Sequence, residues 1–533
     1  MAVEHDYIIV GAGAAGCVLA YRLSENPSNK VLLLEFGGTD RNPMHYVPKG
    51  FYFTLPTGKY SYTYKTKPFK SDGTGEGWTR GKVLGGSTTV NGMMYTRGFQ
   101  ADYDRLVELG NPGWGWDHIL PAYKKMEDHQ LGASDTRGAG GPYGVSIPDA
   151  RDEVTEALFA AARNYGWKVV DDANAEDVER MGFTPSSIRH GWRTSAASAF
   201  LRPARRRRNL KVMTRTRAAY LLFDGKRVVG VRTERQGRME DFSAKKEVLV
   251  SGGTIESTML LERSGIGDPA VLRAAGVSVV AESPNVGERV IEQRGLQMQV
   301  KLKDPIGATQ RLNTVPKQGW EGFKYLFTRM GPIATAGYDV ICGFKSSPEV
   351  PRPDVQGLFV PMALDMTSFD KIRLAKHSGI MFLGYQIRPT TRSSIHISGK
   401  RPDDPPVIDP HYLESEVDRK ATASILGRAR AILAQSPVAE MIDEEEYPGP
   451  TVSSDDEVVR YAGDSAGTIY HAVGANAMGP NDDDVIDSRL RVRGVSGLRV
   501  IDASSFPEQP SGNTAAPTMV LAWRAADMIL EEA

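Results

Sequence analysis

Three glycines near the N-terminus constrain this chain more than any other feature. Gly11, Gly13 and Gly16 fall in Gly11-Ala12-Gly13-Ala14-Ala15-Gly16, directly after the apolar, β-branched run Tyr7-Ile8-Ile9-Val10. That run reads as a buried strand. Residues 17–24 keep Val18, Leu19, Tyr21 and Leu23 at helical spacing, and a second apolar run, Val31-Leu32-Leu33-Leu34, ends in Glu35, 24 positions after Gly11. Strand, glycine turn, helix, strand, acid is the order of a dinucleotide-binding unit. In such a unit Gly11 allows the tight turn, Gly13 lets a pyrophosphate approach the backbone, and Gly16 lets helix and strand pack closely. The helix start at Ala14 and Ala15 offers free N–H groups and a partial positive charge to phosphates. Glu35 can accept hydrogen bonds from a ribose diol. The motif by itself suits a nicotinamide or a flavin dinucleotide.

Size and composition narrow the setting. The 533 residues are too many for one ordinary core, so two intimately joined domains are expected. Hydrophobic content of 41% and charged content of 24% are those of a soluble globular chain. Lys+Arg and Asp+Glu both number 65, and a net charge of zero leaves no electrostatic case for nucleic acid or an anionic membrane as partner. The two cysteines, Cys17 and Cys342, make neither a disulfide framework nor a thiolate metal site, and no metal is expected. Cys17 reads as a small packing residue of the first helix. No secretory leader precedes Tyr7 and no apolar run is long enough to span a bilayer, so the expected location is cytoplasmic.

Between Glu35 and Gly81 lie many aromatics, among them Tyr46, Phe51, Tyr52, Phe53, Tyr60, Tyr62 and Tyr64. The alternation of Tyr60, Tyr62 and Tyr64 predicts a strand or extended lid with one aromatic face, and core packing is the favoured role. The stretch 80–94 contains Gly85-Gly86-Ser87 and Asn91-Gly92-Met93-Met94 and reads as a second backbone cradle, able to approach a flat or phosphorylated ligand. Residues 105–127 read as partly helical around the turn 111–117, and residues 152–165 as an amphipathic helix. The basic cluster at 202–208 reads as a solvated loop. Strands are expected within 210–231, at 248–250, at 380–387 and at 393–397, and a helix at 418–433. No internal repeat or low-complexity segment is visible.

The motifs at 81–104, at Gly253-Thr254-Ile255-Glu256-Ser257 and at Ser264-Gly265-Ile266-Gly267, together with the Gly11 turn and the C-terminal region, resemble the glucose–methanol–choline oxidoreductases over about residues 6–529. Thr258 departs from the usual proline or serine. The resemblance implies an α/β fold in which a Rossmann-type FAD-binding domain (1–150, 209–300 and 459–533) is interleaved with an α+β substrate domain built on an antiparallel sheet (151–208 and 301–458). It implies FAD as cofactor. Gly85, Gly86, Ser87, Asn91, Gly92, Met93 and Met94 are then expected along the pyrophosphate and isoalloxazine. The Ala218 backbone is expected at the adenine, and Asp502, Ala503 and Thr514 near the ribityl and pyrimidine ends. Some relatives carry, at the position of Val90, a histidine that bonds the flavin; valine forms no such bond, so the FAD is expected to be non-covalent.

The same resemblance singles out two residues in the C-terminal segments, His471 in Tyr470-His471-Ala472-Val473-Gly474 and Asn513 in Ser511-Gly512-Asn513-Thr514, as the catalytic pair. The chemistry needs such types. A carbinol C–H is not acidic, but it can leave as hydride once the hydroxyl proton is removed or shared. Histidine titrates near neutrality and can act as base, and asparagine offers both a donor and an acceptor to the oxygen. The expected reaction is oxidation of a small-molecule alcohol to an aldehyde or ketone, with electrons passing to oxygen or another acceptor. The alternatives are a hydroxynitrile lyase or a photodecarboxylase of the same fold. Ala472, Ala475 and Ala477 replace residues frequent in the family, which puts close substrate analogy in doubt. Pro361-Met362-Ala363-Leu364 reads as core, with an apolar substrate wall as the lesser alternative. A monomer and a homodimer are both compatible with the chain.

Overall fold

The computed structural model describes residues 4–147, 151–365 and 373–532. The expected division at residue 150 lies outside them.

The N-terminal unit forms as its pattern predicts: strand β1 (Glu4–Val10), helix α1 (Ala14–Leu23) and strand β2 (Val31–Leu34). β1 and β2 are parallel, with Tyr7 opposite Val31 and Val10 opposite Leu34. They stand inside a seven-stranded sheet. Leu210–Met213 flanks β2 in parallel, and the long strand Arg238–Val250 flanks β1 in parallel. On its other side that long strand pairs twice. Its first half meets Arg227–Arg235 antiparallel, and its last residues meet Leu498–Val500 in parallel. β1 and β2 are buried on both faces, which is why they are unbroken apolar runs rather than alternating ones. α1 and the C-terminal helix Ala515–Glu532 pack together in the same core, and Cys17 is fully buried there. The parallel strands end on one edge, at Val10, Leu34, Met213, Val250 and Val500, so the segments that follow them converge.

A second seven-stranded sheet runs in the order Ile442–Tyr447, Gly295–Leu302, Gly379–Gln386, Val355–Val360, Val340–Phe344, Arg180–Phe183, Lys168–Val170. All neighbours are antiparallel except the last pair. Helices Glu153–Asn164 and Glu416–Leu433 cover one face, where Ile380 and Phe382 meet Ile425 and Leu426. The alternate residues Met381, Leu383 and Tyr385 point the other way, into a cavity shared with the first sheet. The strand Ser394–Ile397 is formed, but outside this sheet. It pairs with Pro406–Asp409, and its Ile395 and Ile397 pack on Ile255 and Met259 of the helix Gly253–Arg263. The buried Glu262 of that helix accepts hydrogen bonds from Ile397 N (2.7 Å) and His396 Nδ1 (2.7 Å), which holds the hairpin there.

The basic cluster is solvated, with Arg205, Arg206 and Arg208 exposed and Arg207 tied to Ser24 Oγ (2.8 Å). Among the described residues no helix is long and apolar enough to cross a membrane.

Candidate active site

At the end of β1 the chain turns through Gly11 at φ +100°, where a Cβ would stand 2.4 Å from Ser251 O. Gly16 sits against the turn itself: its Cβ would be 1.8 Å from Gly11 O. Gly13 is different. No atom lies within 4 Å of where its Cβ would be, because it faces a cavity. Gly13 is the N-cap of α1 and supplies no side-chain cap, and the first turn holds no acid, so the first N–H groups of the helix remain available to an anion. Glu35 closes the far side. Its Oε2 accepts from Ala12 N (2.9 Å) and its Oε1 from Gly37 N (2.6 Å), while burial pushes its pKa up to about 7. Phe36 and Tyr62 stack beside it with centroids 5.5 Å apart, and Lys82 Nζ lies 4.7 and 4.3 Å from the two rings.

The second glycine stretch is tied to the first. Gly85 N donates to Ala12 O (2.7 Å), and Gly86, at φ +53°, comes so near that a Cβ would stand 2.8 Å from Gly13 Cα. Asn91 is held by its Oδ1, which accepts from Met93 N (3.1 Å) and from the buried Arg193 (2.9 Å). Asp502 organises a third segment. Its Oδ2 accepts from Gly253 N (2.9 Å) and its Oδ1 from Ser504 N (2.9 Å), so it caps the start of the helix Gly253–Arg263. The starts of α1, of that helix and of Ala515–Glu532 all open on one cavity of about 690 Å³.

His471 and Asn513 meet at the other end of this cavity. Asn513 Nδ2 lies 3.1 Å from His471 Nε2. The imidazole is oriented from behind, with His471 Nδ1 2.6 Å from Gln293 Oε1 and His471 N donating to Glu292 Oε1 (2.8 Å). Burial, and secondarily the Arg80 cation, push the His471 pKa down to about 3, so the ring is neutral. Glu292 is itself buried, and burial raises its pKa against the opposing pull of Arg80, 3.5 Å away. Asn513 is equally fixed. Its Oδ1 accepts from Gln356 Nε2 (3.1 Å) and from Tyr385 OH (3.4 Å), and its N donates to Thr96 Oγ1 (2.6 Å). Gln356 also bonds Tyr385 OH. This places Asn513 Nδ2, a donor, toward the Nε2 lone pair.

Of the residues singled out from the sequence, the cavity wall contains Gly11, Gly13, Ala14, Ala15, Glu35, Gly86, Ser87, Asn91, Gly92, Met93, Met94, Ala218, Asp502, Ala503, Thr514, His471 and Asn513. Val90 is buried on it. Gly16 and Gly85 stand one layer back as packing positions. The preference for core packing of the aromatic region is corrected in part. Phe51, Tyr52, Tyr62 and Tyr64 line the cavity, whereas Tyr60 packs on His45 and Tyr46 on Arg202. Leu364 lines it too, while Met362 joins a small core cluster behind. Gln293, Glu292, Gln356, Tyr385 and Thr96 were not singled out. Their roles depend on which strand each meets, and no local spacing records that.

The chain is similar to known proteins over its whole length. Two models described as GMC oxidoreductase match, the N-terminal one at residues 5–294 and the C-terminal one at residues 389–522. The oxygen-dependent choline dehydrogenase of Vibrio vulnificus is 35% identical over 100% of this chain and 95% of its own length. The mitochondrial choline dehydrogenase of Homo sapiens is 35% identical over 99% and 90%. Among solved structures, pyridoxine 4-oxidase from Mesorbium loti superposes with a TM-score of 0.89 at 28% identity, covering 99% of each chain.

Proposed function

Since the chain belongs to the GMC oxidoreductases and is an FAD-dependent enzyme acting on CH–OH groups, we propose that His471 is the base and Asn513 the orienting partner that ready an alcohol for oxidation in the cavity between its two sheets. The cavity suits FAD on its own chemistry. The vacant space over Gly13, the uncapped start of α1 and the acceptor Glu35 match a pyrophosphate and a ribose. The glycines at Gly86 and Gly92 and the backbone of 91–94 leave a smooth wall for a flat ring. When bound, FAD supplies the hydride acceptor.

The remaining work falls to the chain. The single observation that carries the reading is the 3.1 Å approach of Asn513 Nδ2 to the lone pair of a neutral His471 Nε2 on the cavity surface. A substrate hydroxyl that replaces this direct contact, sitting in front of both side chains, donates its proton to Nε2 and accepts from Nδ2. The base needs its lone pair free, and Gln293 secures this: a carboxamide oxygen only accepts, so the imidazole proton sits on Nδ1. Once protonated, the imidazolium is stabilised by that same Gln293 oxygen. Glu292 fixes the backbone beneath the ring by accepting from His471 N (2.8 Å). Leu358, Met381, Leu383 and Ile469 exclude water from the carbinol carbon and present an apolar wall to the rest of the substrate.

Choline is the first alcohol to test, because relatives 35% identical are choline dehydrogenases and because Tyr52, Tyr338 and Tyr385 give the wall aromatic faces able to meet a quaternary ammonium. The experiment is anaerobic mixing of the holoprotein with choline and with neutral aliphatic and aromatic alcohols, following flavin bleaching in the dark. His471→Ala should slow bleaching by about 10²- to 10⁴-fold. Bleaching at the unaltered rate in that variant would overturn the assignment.

A further inference from the structure

The helix Val315–Thr328 is built inside out for a water-exposed surface. Val315 is 81% exposed, Phe327 76%, Trp320 and Leu326 59%, and Phe323 53%, with Met330 just beyond the helix at 60%. Trp320, Phe323 and Phe327 follow one another at spacings of three and four and form one continuous aromatic stripe. The Trp320 and Phe323 rings stack with centroids 5.9 Å apart, and the Phe323 and Phe327 centroids are 4.9 Å apart. The opposite face is the anchored one: Glu321 and Tyr325 are buried, and Tyr325 OH donates to Gly191 O (2.8 Å).

Charge says what covers the stripe. Residues 307–330 contain Arg311, Lys317, Lys324 and Arg329 against a single acid, Glu321, which is already engaged by Arg311 and Lys324. A chain of zero net charge therefore carries a locally cationic rim around this exposed apolar stripe. A second copy of the same face would bring two cationic rims together. An anionic lipid surface satisfies both features: aromatic and aliphatic side chains enter the acyl boundary, and basic ones meet phosphates.

The unit is also joined to the cavity wall at both ends. Before it, Thr309 Oγ1 accepts from Ala363 N (2.8 Å), next to Leu364 of the wall. After it, the chain reaches Gly337, whose N donates to Gly92 O (2.9 Å), and then Tyr338; both line the cavity.

We propose that the helix Val315–Thr328 docks this enzyme on the surface of an anionic bilayer, with Trp320, Phe323, Leu326 and Phe327 immersed and Lys317, Lys324 and Arg311 at the headgroups. The helix lies in the plane of the interface and does not cross it. The test is co-sedimentation of the flavin-loaded protein with vesicles of phosphatidylcholine alone or with about one-third phosphatidylglycerol. The expected result is pelleting with the anionic vesicles, weakened by salt and accompanied by a blue shift of tryptophan emission. The triple variant Trp320→Ser, Phe323→Ser, Phe327→Ser should lower the vesicle-bound fraction about tenfold or more, and Lys317→Glu should weaken binding to the anionic vesicles. Both variants should keep wild-type flavin content and melting temperature, since these side chains face outward. Three results would each overturn the proposal: no pelleting of the wild type with anionic vesicles, pelleting unchanged in the triple variant, or a wild-type dimer in sedimentation velocity that the triple variant converts to monomer.

Discussion

Gln293 Oε1 lies 2.6 Å from His471 Nδ1, and this contact decides which nitrogen of the imidazole is free to take a proton. The two residues face each other because Ile291 and Val473 form an antiparallel bridge, N to O at 3.0 Å in both directions, which sets 293 opposite 471. Gln293 is thus a positioning residue, two bonds removed from the substrate. Gln293→Leu removes the acceptor and keeps the bulk. It should lower the rate of flavin reduction about tenfold to a hundredfold with little change in flavin content, and Gln293→Glu should retain more activity than leucine because it keeps an acceptor at Nδ1. Stopped-flow reduction of both variants checks this; equal rates in leucine and glutamate variants would remove orientation as the cause.

The neutral state of His471 gives the reaction a distinctive pH profile. Its pKa is pushed down to about 3, so protonation that would idle the base begins only as pH falls toward that value, far below the ordinary histidine value of about 6.5. The acid limb of kcat/KM from this group should therefore be absent between pH 5 and 8, on the order of one proton uptake below that range. Asn513→Asp places an anion 3.1 Å from Nε2 in the wild-type geometry, which favours the imidazolium. The acid limb should then move to higher pH. A pH series of flavin reduction in both proteins reads the shift directly.

The readable parts of this chain and the unreadable ones differ in how local their causes are. The run from Tyr7 to Glu35 could be read because one strand, one turn and one helix contain every residue it needs, and their periodicity is visible over a few positions. His471 and Asn513 could be named only through resemblance to a family, since no spacing joins two residues from separate segments. Gln293, Gln356 and Tyr385 were invisible for a further reason. Gln356 and Tyr385 are cross-strand partners in the second sheet, and their meeting with Asn513 depends on how that sheet faces the first. The strand Ser394–Ile397 forms as expected, but its packing on the helix Gly253–Arg263 had no local cue, because a strand pattern does not record which element it lies against. The aromatic region before Gly81 was read as core because buried and cavity-lining tyrosines look alike in sequence.

Glu35 makes cofactor retention pH-dependent. In the cofactor-free chain burial holds its pKa up at about 7, above the ordinary carboxylate value. A raised carboxylate contributes stability below its unfolded pKa and loses it as pH rises through the folded value, so the cofactor-free protein should be less stable at pH 8 than at pH 5 by this group's share. Ribose hydroxyls donate to the ionised form, so binding runs the opposite way: FAD affinity should weaken as pH falls through about 7. Flavin fluorescence after dialysis across this range measures it, and Glu35→Gln should flatten both trends.

Val90 predicts how the flavin leaves. It lies buried on the cavity wall with a purely aliphatic side chain, which has no nucleophile to offer the ring. Acid precipitation should release all the yellow colour into the supernatant, and colour retained in the washed pellet would show a covalent link through another residue.

Gly13 and Gly16 separate cofactor binding from folding. A Cβ at Gly16 would stand 1.8 Å from Gly11 O, a backbone atom that cannot retreat without moving β1 from α1. Gly16→Ala should therefore destabilise the protein itself, by about 1–3 kcal/mol as an overpacked core position, and should do so with or without flavin. A Cβ at Gly13 meets nothing within 4 Å and enters only the space over the start of α1. Gly13→Ala should leave the melting temperature of the cofactor-free protein unchanged while weakening FAD binding, because the methyl group keeps a phosphate from the first N–H groups of the helix. Melting curves of both variants, each measured stripped of flavin and with added FAD, distinguish the two roles. Unchanged FAD affinity in Gly13→Ala would mean that the space over this glycine is not where the pyrophosphate lies.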